Sequence, residues 1–546
     1  MPDNHDQADE PTDTVDSSSE HDDSMDGIAG YSTDGQLMDR LSLSSIKGRR
    51  NFMKATTVGL GTLLAGCSGG GDGGGGGTDS GGGGTDSGGG GSTSGDQESS
   101  FSGTSIDYWD VMNVQSNIAR QRIQEVISSF ENNTGATVQT NLSGYSQMMG
   151  QQWVSAWRNE EYPVAFNHED FYFGRIFPTG NIKPFAEYQD QLSDGIVDDM
   201  EWAMDIKENA YRFWNIESDP AIVNPPFATG PRNPFTVRTD FLEQAGYSVD
   251  DIPSTGDAVQ NYEELMTMAQ DVQRNSDAQY GFHTFGATAD VNDTLSPFMS
   301  AQDAQGSSYI SEDGTEAYPS DLWAPWIQRQ ADMYLEYEVS GPQTPSISDE
   351  EVATQLYAGD TAMSTVEPLN YPTFIQRAPD LLENGNLQFV PFWDGSSGAS
   401  GHTGFHDHGV NKKPSSADAQ RWERKLQVGY EMMNRLYSPD FQTDYTNMVG
   451  WMGIRDGLWP DATATANEQT NVINAMTTML DSMEVTWPYH RYANATIFAV
   501  PVPYWQQVLA GDMSGEDAMA QARNESNANM QAAIDELGPV GEWPIQ

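Results

Sequence analysis

The chain has 546 residues, with 80 acidic against 26 basic side chains and a formal net charge of −54. That excess speaks against nucleic acid or an anionic membrane surface as a partner, because phosphate contacts need clustered Lys and Arg. At 37% hydrophobic and 10% aromatic residues the chain can still bury a sizeable core, and its single cysteine excludes a disulfide framework or a cysteine zinc cluster.

Residues 1–48 are rich in Asp and Ser and poor in apolar side chains, so they are expected to be disordered. They are also long for the n-region of a secretion signal, which places the expected translation start at Met38 or Met25. In residues 49–67 a basic pair, Arg49 and Arg50, precedes a short apolar run from Ala55 to Ala65. This is the pattern of a twin-arginine secretion signal, and the run is too short for a permanent membrane span. The ending Leu64-Ala65-Gly66-Cys67 resembles a lipobox, so Cys67 is expected to carry lipid as the new N-terminus on the outer face of the cell membrane. Residues 68–100 then read as a tether. Seventeen of the 54 glycines fall between positions 68 and 95, and a coil of that composition reaches about 30 Å. Removing residues 1–66 takes away 12 acids and 5 bases, so the acidity belongs to the exported body. An acidic, lysine-poor surface suits a halophilic protein, whose self-repulsion molar salt screens.

The body spans 101–546. A β-rich run at Thr104–Trp109 leads to a helix whose Ile123, Val126, Ile127 and Phe130 follow helical spacing, with Gly135 as its left-handed cap. Thr137–Leu142 gives a second strand. This strand–helix–strand opening predicts an α/β fold with a parallel sheet. Further helices are predicted through Tyr262, Leu265, Met266 and Ala269, and through Trp422, Leu426, Tyr430, Met433 and Tyr437. Ser514 and Asp517 form a capping-box pattern before an Ala-rich helix, and no internal repeat is evident.

Several segments taken together resemble the family 1 extracellular solute-binding proteins, the maltose-binding-protein-like group. They are Ile106–Trp109 with the helix ending Ser128–Val138, then Val237–Tyr247, Leu356–Met363, Gly401–Ala417 and Leu509–Ala518. The resemblance implies a type II periplasmic-binding-protein-like fold, with two lobes joined by multiple hinge crossings. It also implies a small polar solute, most simply a sugar or oligosaccharide, delivered to the permease subunits of an ABC importer by a monomeric binder. The chain would thus be a haloarchaeal-type twin-arginine lipoprotein. Crossings are expected near Asn233–Val237, near Gly401 and near Arg455–Pro460. Lobe one would hold about 103–234 and 402–455, and lobe two about 235–401 and 456–546.

A sugar site wants aromatic platforms edged by hydrogen-bonding groups. Trp109-Asp110 ends the first strand, where a parallel sheet places its ligand crevice. His168, Glu169 and Asp170 follow a helix carrying Trp153 and Trp157, and Trp393, Trp451, Trp487 and Tyr489 have the same aromatic-beside-polar character. His402, His406 and His408 form the sharpest local cluster. A metal site with Asp407 is one reading, since imidazole suits zinc or copper. Hydrogen bonding to ligand is preferred, because His406 and His408 share a strand face at the expected lobe crossing. No cofactor is expected. A secreted glycosidase would need two carboxylates at a set separation, and in so acidic a body no particular pair stands out; no nucleophile elbow or phosphate loop is present. The expectation is a binder, not an enzyme.

Overall fold

The computed structural model describes residues 101–110, 117–142, 151–169, 176, 180–204, 224–231, 234–254, 257–287, 291–303, 308–311, 315–391, 403–455, 475–476, 479 and 500–537. In chain order the elements that place the site are β1 (Ser105–Asp110), α1 (Asn117–Thr134), β2 (Thr137–Leu142), α2 (Gln151–Arg158), β3 (Ala165–Glu169), β4 (Pro226–Pro231), β5 (Phe235–Arg238), α3 (Thr239–Ala245) and α4 (Ala258–Asn275). Then come α5 (Trp323–Leu335), α6 (Asp349–Ala358), β6 (Met363–Thr365), β7 (Leu387–Val390), β8 (Thr403–Val410), α7 (Ala419–Leu436), α8 (Pro439–Val449), β9 (Met452–Gly453), α9 (Val502–Leu509) and α10 (Gly515–Leu537).

Six strands form one sheet in the order β2-β1-β3-β8-β4-β9. The opening βαβ unit is parallel, as the pattern predicts, and β3 joins β1 in the same sense. The sheet as a whole is mixed, because β8 runs antiparallel to both β3 and β4, and β9 antiparallel to β4. The cause is topological. Strand β8 enters from a distant part of the chain rather than through a right-handed helical crossover, which is what parallel neighbours need. Ile123, Ile127 and Phe130 of α1 are buried, each contributing roughly 1.5–3 kcal/mol by leaving water. Gly135 takes φ +68°, so the chain turns from helix to strand in a conformation that favours glycine.

A second sheet has the order β6-β5-β7 and is antiparallel. Helix α4 starts on Asp257, whose carboxylate accepts from the backbone N–H groups of Val259 and Gln260, and it buries Tyr262, Leu265, Met266 and Ala269. Ser348 and Glu351 make a full capping box at the start of α6. At α10 the Ser514 hydroxyl donates to the Asp517 carboxylate and accepts from its backbone N–H. Helices α5, α9 and α10 pack together as one layer. The chain leaves the first sheet at Pro231 and enters the second at Phe235; it leaves the second at Val390 and re-enters the first at Thr403.

Candidate functional site

Strand register decides which side chains meet. Asp110 lies opposite Asn167, Asn167 opposite His408, and Glu169 opposite His406. Because side chains alternate along a strand, these five residues share one face of the first sheet with Tyr108. They sit where β1, β3 and β4 end and β8 begins, since Thr403 pairs with Pro231. That is the edge from which the chain passes to the second sheet, and the C-terminal edge of parallel strands is where α/β folds place ligands.

This polar row is enclosed. Asp110, Asn167 and His406 are fully buried, and Glu169 and His408 are 1% exposed. The Tyr108 hydroxyl donates to Asp110 Oδ2 at 2.9 Å and lies 3.0 Å from His408 Nε2. His406 Nδ1 is 2.8 Å from the Tyr445 hydroxyl of α8, and its ring stacks on Trp451 at 3.9 Å. Trp451 approaches this closely because Gly230 lies beneath it: a Cβ there would sit 3.1 Å from the indole. Burial pushes the His408 imidazole down to about 3, with the neighbouring His168 adding to the effect, so it is neutral at physiological pH. Burial first, then the charges of Asp110 and Glu169, hold the Tyr445 phenol well above its ordinary range. Among the described residues neither amide atom of Asn167 makes a hydrogen bond.

The opposite face of the same strands is aromatic. Trp153 and Trp157 of α2 stack 5.2 Å apart and are buried, and Trp109, half-buried, packs on them at 5.3 and 5.8 Å. Trp157 Nε1 donates to Asn411 Oδ1 at 3.0 Å, which ties the cluster to the end of β8. His168 belongs to this face, stacked on Phe166. Its Nδ1 is 2.8 Å from the Glu169 carbonyl and therefore donates; its Nε2 then accepts from Asn224 Nδ2 at 2.7 Å. The tautomer is fixed by its neighbours.

On the second sheet, β5 pairs Phe235 with Thr365 and Val390 at its starting end. Beyond β6 the chain makes a turn at Pro368–Asn370, secured where Asn370 Nδ2 donates to Asp349 Oδ2 at 2.5 Å. That turn touches α8 directly: a Cβ on Gly450 would lie 1.8 Å from the Pro368 carbonyl oxygen.

Of the residues singled out by sequence, Trp109, Asp110, His168, Glu169, His406, His408 and Trp451 converge on the one sheet edge. His406, His408 and Trp451 are there as enclosed, mutually packed rings rather than open platforms. Asp170, Trp393, His402, Trp487, Tyr489, Cys67, Arg49 and Arg50 lie outside the described residues. Sequence reasoning passed over Tyr108, Asn167 and Tyr445. Tyr108 and Asn167 could have been found by strand alternation, two residues from Asp110 and Glu169; Tyr445 could not, since only the packing of α8 brings it to the row. Among the described residues, no group of three or more His, Cys, Asp or Glu is placed to hold a metal ion, and no helix is long and apolar enough to cross a membrane.

No protein-family model matches this sequence, and no curated protein matches it. Solved structures do. A putative oligosaccharide periplasmic-binding protein from Synechococcus superimposes with a TM-score of 0.60 at 14% identity, over 80% of this chain and 100% of that one. An ABC substrate-binding protein from Listeria monocytogenes, in complex with cycloalternan, gives 0.60 at 14%, over 78% and 99%. A cyclic α-maltosyl-1,6-maltose binding protein from Arthrobacter globiformis gives 0.57 at 12%, over 78% and 99%. The chain has the type II periplasmic-binding-protein fold of these structures.

Proposed function

We propose that this protein is a substrate-binding component that captures a neutral carbohydrate and hands it to an ABC importer. The observation that carries the reading is the two-sided edge of the first sheet. Asp110, Asn167 and Glu169 supply hydrogen-bond acceptors and an amide, while Trp109, half-buried and backed by the buried Trp153 and Trp157, supplies aromatic surface on the other face. Hydroxyl groups and flat C–H faces are what such a pair of surfaces recognises. The similar structures include a cyclic α-maltosyl-1,6-maltose binding protein and a substrate-binding protein in complex with cycloalternan, which supports the same reading. In this reading a lobe of about 103–234 and 402–455 closes on a lobe of about 235–401 and 456–546, and binding rather than bond cleavage is the activity.

The same proposal covers delivery to the cell surface. Arg49 and Arg50 direct folded export, Cys67 carries lipid, and residues 68–100 tether an acidic, salt-adapted, monomeric body beside its permease. Changing Cys67 to Ser should release the protein from the membrane fraction into the medium; continued membrane association would refute the anchor. For the binding function, thermal shift in molar salt with neutral oligosaccharides is the test, since a ligand that favours the native state raises its stability. Sugar release from an oligosaccharide by the purified protein would instead support a glycoside-processing enzyme.

A further inference from the structure

Two side chains in the polar row have no role in the reading above and are placed to act on one that does. Tyr108 has a single hydroxyl proton, which it gives to Asp110 Oδ2 at 2.9 Å. Its contact with His408 Nε2 at 3.0 Å must then run the other way, with the imidazole donating. The proton on His408 is therefore on Nε2, and the order is imidazole N–H to phenol O–H to carboxylate. Successive bonds of this kind polarise one another in a dry interior.

The surroundings hold the imidazole in that orientation. Phe227 lies over His408 with ring centroids 4.2 Å apart, and Tyr437 meets it edge-on at 5.5 Å. Tyr108 and His408 are 0% and 1% exposed. The imidazole stays neutral because burial disfavours its charged form, so it remains a one-proton donor across the physiological range. The phenol likewise stays protonated, held up by burial and by the Asp110 charge.

We propose that His408 and Tyr108 are positioning residues, a two-bond relay that fixes the Asp110 carboxylate at the end of β1 so that it accepts a hydrogen bond from a hydroxyl group of the captured solute. This rests on the carbohydrate-binding reading, with Asp110 as the group that touches solute. The relay joins two positions of β1, Tyr108 and Asp110, to one on β8 300 residues away, and strand β8 contributes to solute recognition through its interior rather than through a side chain in contact with the ligand.

The test uses the full chain in molar salt, with maltose as the probe in calorimetric titrations. Asp110→Asn should weaken binding about 10- to 100-fold, the range for losing a hydrogen bond to a charged acceptor. Tyr108→Phe and His408→Leu should each weaken it about fivefold, and the double variant should be no weaker than either alone, because one relay is broken in every case. His408→Gln, whose amide can donate from nearly the same place as Nε2, should restore affinity to within about twofold of the parent by the same logic. Weakened binding in Asp110→Asn with parental affinity in Tyr108→Phe and His408→Leu would overturn the relay and leave the site intact. Parental affinity in Asp110→Asn, or no maltose binding by the parent, would count against the site reading instead. The relay would then be decided by ligand-free crystal structures: displacement of the Asp110 carboxylate in Tyr108→Phe upholds it, and an unmoved carboxylate overturns it.

Discussion

Gly450 is the most demanding single position in the described structure. It follows α8 with φ +82°, and its would-be Cβ lies 1.8 Å from the Pro368 carbonyl oxygen and 2.6 Å from the Pro368 carbonyl carbon. Gly450→Ala therefore meets two separate penalties. Holding an L-residue in the left-handed region costs about 1–2 kcal/mol. Forcing the backbone of the Pro368–Asn370 turn away adds about 1–3 kcal/mol, the usual range for overpacking. The turn cannot simply swing aside, since Asn370 is bonded to Asp349 at the start of α6. The expected loss is thus about 2–5 kcal/mol, adding the two ranges. Gly246 serves as the control: it caps α3 at φ +88°, but a Cβ there meets nothing within 4 Å. Gly246→Ala should cost only the conformational part, about 1–2 kcal/mol. Urea unfolding of both variants in molar salt gives the comparison through the transition midpoint and its slope. Equal losses in the two variants, or an unshifted Gly450→Ala midpoint, would refute the claim that the first-sheet layer and the β6 turn meet backbone to backbone.

Further outcomes follow from the same structure. His408 is pushed down to about 3 and His283 to about 4 by burial, so below pH 6.5 the unfolded chain binds protons that the folded one refuses. Their stabilisation is complete above pH 6.5 and is lost as the pH falls toward 4, at up to about 1.4 kcal/mol per pH unit for each. His408→Gln should flatten that acid limb relative to the parent in urea midpoints from pH 4 to 7, and an unchanged slope would refute the assignment. Gly409→Ala places a Cβ 2.2 Å from the Phe166 ring and should cost about 1–3 kcal/mol as overpacking, measured by the same unfolding series. Tryptophan emission should change on adding a bound sugar and lose most of that change in Trp109→Leu, because Trp109 is the half-buried member of the three-indole cluster and the other two are fully buried. A full signal in Trp109→Leu would place the sugar elsewhere.

Local pattern carried the first part of the fold well. The helical spacing through Ile123, Ile127 and Phe130, the glycine after that helix, and the strand that follows all rest on short-range rules, and the structure contains each of them. The same holds for the helix through Tyr262 and the Ser514–Asp517 cap. The sense of β8 was not legible, because it depends on which way a strand enters after crossing from a second sheet. Pairing of Asp110, Asn167 and His408 has the same origin, since residues almost 300 positions apart meet only through register. The histidine cluster shows the limit most clearly. Strand alternation places His406 and His408 on one face, but the rings that enclose them, Trp451, Tyr445, Phe227 and Tyr437, come from four other segments.

On the proposed function, the sheet edge carrying Asp110, Glu169 and Trp109 captures a neutral carbohydrate. The most direct measurement is calorimetric titration of the protein in molar salt with a series of neutral oligosaccharides, repeated on Asp110→Asn/Trp109→Leu. The account predicts saturable, one-to-one binding of at least one sugar without its cleavage, lost by 100-fold or more in the double variant if two charge- and ring-based contacts of the usual size are removed (about 3 kcal/mol together). Binding that survives the double variant undiminished, or sugar hydrolysis by the parent protein, would contradict it.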